Sequence, residues 1–333
     1  MTATDDAPER RSRLISSALR SLVGDERAGE PEIFPGGVAL HAESSSHIWL
    51  DDRPDRLIAV AMLLTARAGR SALRIILPAE RATEAQVVAR RATQWSTPAE
   101  VVILDGRSTS LVLAGAHVPE RSLDPTHEHF VTTITAAGAD VVVEHGVLTG
   151  EVAGLEVCRV VDDSDGARLE VGVGAHDREA FRMLHGETPA AESLARIVAA
   201  VREIRAPGAD PHPLKRLAPE RALRRRLLDT PALVGAESLE PVPSVSAAAG
   251  PGDPAPAHLV GVRDGSRTLI ACTTGTDLGA AADAFDTFHW RREANQLDSL
   301  VIAVPERNRL RSVDELAALS GIPTAVVSIP DRS

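Results

Sequence analysis

Short aliphatic runs, each stopped by a proline or a turn residue, recur through this chain and alternate with helical patterns. Leu73–Leu77 stops at Pro78, Val101–Leu104 at Asp105-Gly106 and Leu300–Val304 at Pro305; Thr324–Ile329 is a further run of the same kind. Runs this short, rich in β-branched residues, are strand signals. Leu57–Ala68, Glu84–Trp95, Asp277–Phe288 and Val313–Leu319 between them read as helices, the first of them nearly all apolar and so buried. Strand–helix alternation predicts an α/β layer. Aromatic residues make up only 2% of the chain and Tyr is absent, so the cores must be filled by Val, Ile, Leu and Ala.

The pattern divides the chain. Residues 1–11 are polar and charged and are expected to form a disordered tail. An N-terminal α/β module follows at 12–118, opening with an amphipathic helix over Ser12–Val23 and a hairpin over Gly36–Leu50. Residues 119–239 form a central β-rich and helical segment, with helices expected over Ala190–Arg205 and Pro219–Leu228. The Pro/Ala/Gly/Ser stretch 240–257 reads as a linker, and 258–333 as a C-terminal α/β module. The segments SSHIWLDDRPDRLIAVAMLL…SALRIILPAER and SRTLIACTTGTDLGAAADAF…DSLVIAVPERN match in element order and near-equal spacing. Related modules and chance recurrence of an α/β pattern both explain that match.

Composition excludes several classes. Lys215 is the only lysine and lies in HPLKRL, so no Walker A loop exists, and a Schiff-base or kinase-type site would have to use that one residue. A net charge of −11 argues against non-specific coating of nucleic acid but leaves room for a local basic patch. Cys158 and Cys272 stand far apart without a CxxC, which predicts reduced thiols in the cytoplasm. No apolar run reaches bilayer length, so no membrane partner is expected. There is no GxSxG, HExxH or complete GxGxxG; Gly172-Val-Gly174 lacks the third glycine.

Candidate chemistry concentrates in Asp140–Gly186, where Glu144, His145, Glu151, Glu156, Glu170, His176, Asp177 and His185 stand among β-branched residues. Asp163-Ser-Asp-Gly166 is a turn signal that pairs Leu155–Val161 with Leu169–Val173 and brings Glu156 towards Glu170. Carboxylates so placed repel unless a hard cation holds them. Glu151, Glu156 and Glu170 are thus the candidate catalytic residues, and Glu156, Glu170 and Asp177 the candidate ligands for Mg or Mn. The alternative is that a glutamate faces solvent or pairs with Arg159 or Arg168. Asp177 also reads as the N-cap of a helix through Phe181 and Leu184. His127-Glu-His129, if extended, sets two imidazoles on one side as a metal pair, or else lies in a solvated turn. Lys215, Arg216, Arg221, Arg224, Arg225 and Arg226, following Arg202 and Arg205, form a basic segment suited to nucleic-acid phosphates or to a solvated helix face.

A hairpin with acids on its second strand, followed by a helix, resembles the core of the PD-(D/E)xK (restriction-endonuclease-like) nucleases. The C-terminal module is similar in plan over HLVGVRDGSRTLIACTT and the helix, strand, helix and strand that follow. In that superfamily an acid on the first strand and an acid–x–lysine on the second hold metal and activate water. Here those places fall near His258 and at Ala271-Cys272-Thr273, so the resemblance implies a copy without catalysis. The N-terminal module has Asp51 and Asp52 near the equivalent place, and the central block has Glu170-Val171-Gly172, both without the lysine. The expected protein is α/β: two modules, degenerate endonuclease-like in plan, flanking a central antiparallel β-rich segment. Its expected role is a nucleic-acid-associated scaffold or DNA-contacting partner. A metal-dependent hydrolase working through Glu151, Glu156 and Glu170, and a protein-interaction module without nucleic acid, are the alternatives.

Overall fold

The computed structural model describes residues 7–24, 28–164, 166–175, 177–179, 190–247 and 256–331. Its strands form a six-stranded, a four-stranded and a five-stranded sheet, with helices between, so the chain is α/β as expected. By contacts it divides into two compact units: Met1–His117 with Leu278–His289 and Arg309–Val326, and Val118–Asp277 with Trp290–Asn308 and Val327–Ser333.

The first sheet comprises β1 (Glu32–Phe34), β2 (Gly37–His41), β3 (Ser45–Leu50), β4 (Ala72–Pro78), β5 (Ala99–Asp105) and β6 (Ser108–Leu111). β3, β4 and β5 run parallel, joined by α2 (Pro54–Arg67) and α3 (Ala82–Ala92), while β1, β2 and β6 add antiparallel pairs. α2 starts with Pro at its first turn, where the missing N–H costs nothing. Its apolar face buries Ile58, Ala59, Ala61, Met62 and Leu63, which fits the nearly all-apolar sequence. α1 (Ala7–Val23) packs Leu19 against Val38, Leu40, Ile76 and Val102. That helix begins at Ala7, ahead of the Ser12 expected, so residues 7–11 belong to it rather than to a tail. β6 was not legible in the sequence because all four of its residues, which pair with β5, are exposed and give no apolar signal.

The four-stranded sheet is a meander of β7 (Asp140–Glu144), β8 (Val147–Val152), β9 (Leu155–Asp163) and β10 (Gly166–Val171). His145-Gly146 and Ala153-Gly154 make its first two turns with positive φ at both residues, the mirror-image hairpin turn that suits strand twist. α4 (His129–Ala136) and α5 (Ala190–Ile204) cover the apolar face, burying Ile134, Leu148, Leu155, Val157, Val160, Leu194, Val198 and Val201 together. α6 (Pro219–Asp229) follows.

The five-stranded sheet holds β11 (Ala236–Val242), β12 (Ala257–Arg263), β13 (Ser266–Cys272), β14 (Ser299–Pro305) and β15 (Thr324–Ile329), with α7 (Gly279–Asn295) and α8 (Arg311–Ala318) in its crossovers. Residues 240–242 of the expected linker are strand, and 248–255 lie outside the described residues. The first and third sheets share one plan. Each opens with three antiparallel-paired strands, crosses over through a helix to a parallel strand ending in Pro78 or Pro305, and makes a 3-10 turn at Ala79–Arg81 or Glu306–Asn308 before its second helix. Among the described residues no helix is long and apolar enough to cross a membrane.

Two hairpin glycines test the packing. Gly154 (φ 79°) and Gly265 (φ 76°) have nearly the same backbone, but a Cβ on Gly154 would lie 2.4 Å from the Ala222 nitrogen of α6, whereas Gly265 faces open space. Gly265→Ala is expected to cost about 1 kcal/mol from the left-handed conformation alone. Gly154→Ala should cost a further ~1–3 kcal/mol from overpacking. Equal urea midpoints for the two variants would contradict this packing.

Candidate functional site

Strand register gathers the acids of the four-stranded sheet on one face. Asp140 stands opposite Glu151, and Glu151 opposite Glu156. Glu144 is four residues from Asp140 and so shares its side. The register between β8 and β9 shifts after Gly150, because β9 carries one extra residue there. That bulge turns Glu156 onto the same side as Arg159, which stands opposite Glu170. Glu156 and Glu170 therefore share a face, which the turn at Asp163–Gly166 alone does not fix.

Guanidinium groups occupy the space between these carboxylates. Arg178 donates to Glu156 at 2.9 Å and lies 3.6 Å from Glu170. Arg159 makes two 3.0 Å bonds to Glu156, and Arg168 one of 2.7 Å to Glu170. From α6, Arg221 reaches Glu144 at 2.7 Å and Glu151 at 2.8 Å. Arg224 donates from Nη2 to both Glu151 oxygens, at 3.1 and 3.2 Å, and from Nη1 to Glu144. Arg225 contacts Asp140 at 3.2 Å and Asp229 at 2.9 Å. The planar fork of arginine suits this bidentate pairing where a lysine would not.

Electrostatics follow from the pairing. Burial works to raise the Glu144 pKa, but Arg224 and Arg221 outweigh it and hold the carboxyl below its usual range. Burial also opposes the charge on Arg224, yet Glu151 and Glu144 push its pKa above the ordinary guanidinium value. The expected metal ligands Glu156 and Glu170 are likewise neutralised by arginine. Asp177 accepts the Val173 N–H at 2.7 Å, which closes a turn, and among the described residues no group of three His, Cys, Asp or Glu is arranged to hold a metal ion.

The remaining expectations resolve singly. His127 lies in a 3-10 turn and bonds Asp162 at 2.8 Å, while His129 opens α4 and bonds the Thr126 carbonyl at 2.8 Å. The segment is not extended, and the two imidazoles have separate partners. His176, His185 and the helix expected through Phe181 and Leu184 lie outside the described residues. Asp51 pairs with Arg11. His258 and Ala271 are direct partners on β12 and β13, a place that carries no carboxylate. Of the basic segment, Arg224 is only 2% exposed and Arg221 serves Glu144 and Glu151, so neither presents its charge outward. Arg216 is exposed in a 3-10 turn.

Beside the carboxylate face opens a cleft of about 1050 Å³. It lies at the carboxyl ends of β13 (Thr273, Thr274), β14 (Pro305, Arg307, Asn308) and β15 (Ile329, Asp331), where open α/β sheets receive ligands. The end of α5 (Arg202, Arg205), Lys215 and α6 (Arg225, Arg226) supply further wall, and Asp140, Glu151 and Asp229 add carboxylates. Arg202 donates to the Gly138 carbonyl at 2.7 Å, and Lys215 to the Ala209 carbonyl. Those bonds fix the side chains without cancelling their charge. Gly275 (φ 79°) backs onto Asn308, where a Cβ would lie 2.4 Å from the carbonyl oxygen, so the loops after β13 and β14 close together at the rim. Sequence reasoning missed Thr273, Thr274 and Arg307. The available signal was positional, since each lies just past the end of a strand of the α/β module.

A second ion cluster lies within the other unit and was not foreseen. Asp286 on α7 is fully buried and bonded by Arg90 (2.9 Å, twice), Arg91 (3.1 Å), Gln94 (2.9 Å) and His117 (2.8 Å). Burial acts to raise its pKa, but Arg90 and Arg91 outweigh it and hold the carboxyl well below the usual range.

No family model, curated protein or solved structure matches the chain.

Both carboxyls give a sign for acid. A depressed folded pKa contributes stability that is present above the ordinary value, 4.5 for Glu144 and 3.8 for Asp286, and is lost as pH falls through the folded one. The urea midpoint is expected to decline as pH drops below about 4.5, less steeply in Asp286→Asn. A midpoint that rises on acidification would contradict the pairing.

Proposed function

We propose that this chain is a nucleic-acid-associated binding protein that holds a sugar–phosphate backbone in the cleft, on an endonuclease-like plan lacking the catalytic residues. The observation that carries the reading is the set of basic side chains along the cleft, of which Arg202 and Lys215 are oriented by carbonyl oxygens and keep their charge for a ligand. Phosphate oxygens are the usual acceptors for such an array. The overall charge of −11 works with the cleft, since a net negative chain repels nucleic acid and so favours binding where basic side chains gather.

The hydrolase reading loses its support in the ion pairs. Glu151, Glu156 and Glu170 are each bonded to arginine, so Mg or Mn would have to displace guanidinium groups already in place. Cys158 and Cys272 are buried and free, and burial pushes both thiols up to about 12, which leaves them inert and suits a cytoplasmic location.

Fluorescence anisotropy with a labelled 20-nucleotide strand tests the proposal. Affinity is expected to fall with salt, the slope of log K against log salt reaching about −0.7 per phosphate contacted. Arg202→Glu and Arg307→Glu should each weaken binding about tenfold or more at low salt, with thermal melts confirming that the variants fold. The labelled strand should stay intact with Mg²⁺ or Mn²⁺ present. Binding indifferent to both salt and these charge reversals would sink the reading.

A further inference from the structure

Resting on that reading, we propose that the strand held in the cleft is single-stranded RNA, read through its phosphates and its ribose hydroxyls. Three observations point there. The cleft is a recess of about 1050 Å³, at the upper end of the ~300–1,000 Å³ pockets that enclose a compact ligand. A recess of that size takes a few nucleotides of flexible strand, whereas reading the base edges of a duplex uses an element that enters a groove. Among the described residues no aromatic side chain lines it, so bases are not gripped by stacking and the contacts fall on the backbone.

The third observation is the mixture of charge. Asp140, Asp229 and Asp331 stand in the same lining as Arg202, Lys215 and Arg307. A site built for phosphate alone gains nothing from carboxylates, which repel it. Each of these three aspartates meets an arginine through one oxygen: Asp140 and Asp229 meet Arg225 at 3.2 and 2.9 Å, and Asp331 meets Arg307 at 3.5 Å. All three remain between 41% and 51% exposed at the side chain. The second oxygen of each can accept a hydrogen bond from a ligand. A strand that carries a hydroxyl donor beside every phosphate matches a lining that holds both acceptors and cations. The 2′-hydroxyl supplies that donor and distinguishes RNA from DNA.

Anisotropy with a matched ten-nucleotide RNA, the same sequence as DNA, and the RNA duplex decides it. The single-stranded RNA is expected to bind about tenfold tighter than the DNA, and tighter than the duplex. In Asp229→Asn/Asp331→Asn the RNA-to-DNA ratio should fall towards one, because the charge-assisted acceptors go while repulsion of phosphate in both strands eases. A change in folding alone would weaken both ligands and leave the ratio intact, which would also count against the inference. Equal affinity for RNA and DNA in the unaltered protein, or preference for the duplex, overturns this inference and leaves the basic cleft standing. Failure of all three ligands to bind overturns the underlying reading as well.

Discussion

The second unit depends on the ion pairs that join α6 to the four-stranded sheet. Arg221, Arg224 and Arg225 lie three and four residues apart, on one side of the helix. They meet Asp140, Glu144 and Glu151, which strand register has aligned on one side of the sheet. Neither set is tolerable alone. Aligned carboxylates repel, and a buried guanidinium without a partner is costly enough that removing one member of such a pair typically destabilises by ~3–5 kcal/mol. The rest of α6 is committed elsewhere: Leu223 and Leu227 enter the core with Leu259, Ile270, Val301 and Ile329 of the five-stranded sheet. One helix thus serves two sheets, polar towards one and apolar towards the other, and its remaining residues border the cleft.

The same device appears within the first unit, where Asp286 gathers Arg90, Arg91, Gln94 and His117. Aromatic side chains are 2% of this chain and lysine occurs once. Arginine–carboxylate forks provide directional contacts between elements that small aliphatic residues cannot. Replacing a buried pair of this kind whole by apolar residues is often neutral, whereas removing one partner is costly.

How much of this was legible in sequence depends on range. The strands at Leu73, Val101, Leu300 and Thr324, the hairpin about Asp163–Gly166 and the helix from Pro219 were all readable, because local periodicity and turn residues encode them. The shared plan of the two α/β modules was also visible in order and spacing. What failed was long-range. Arg224 and Glu151 are 73 residues apart, and nothing local distinguishes an arginine on a solvated helix face from one whose carboxylates arrive from another sheet. The bulge that turns Glu156 towards Arg159 belongs to pairing with β8, so the strand's own sequence does not announce it. The cleft draws on segments from Gly138 to Asp331, and only the assembled sheets bring them together.

The density of acids in Asp140–Val171 therefore marks a docking face for arginines, and the cleft lies beside it. A double-mutant cycle on Arg224→Leu and Glu151→Leu, read by urea denaturation at neutral pH, tests that claim most directly. The account predicts a coupling energy of about 2–3 kcal/mol, with the double variant recovering much of what each single change loses. Single effects that add to within about 0.5 kcal/mol would contradict it.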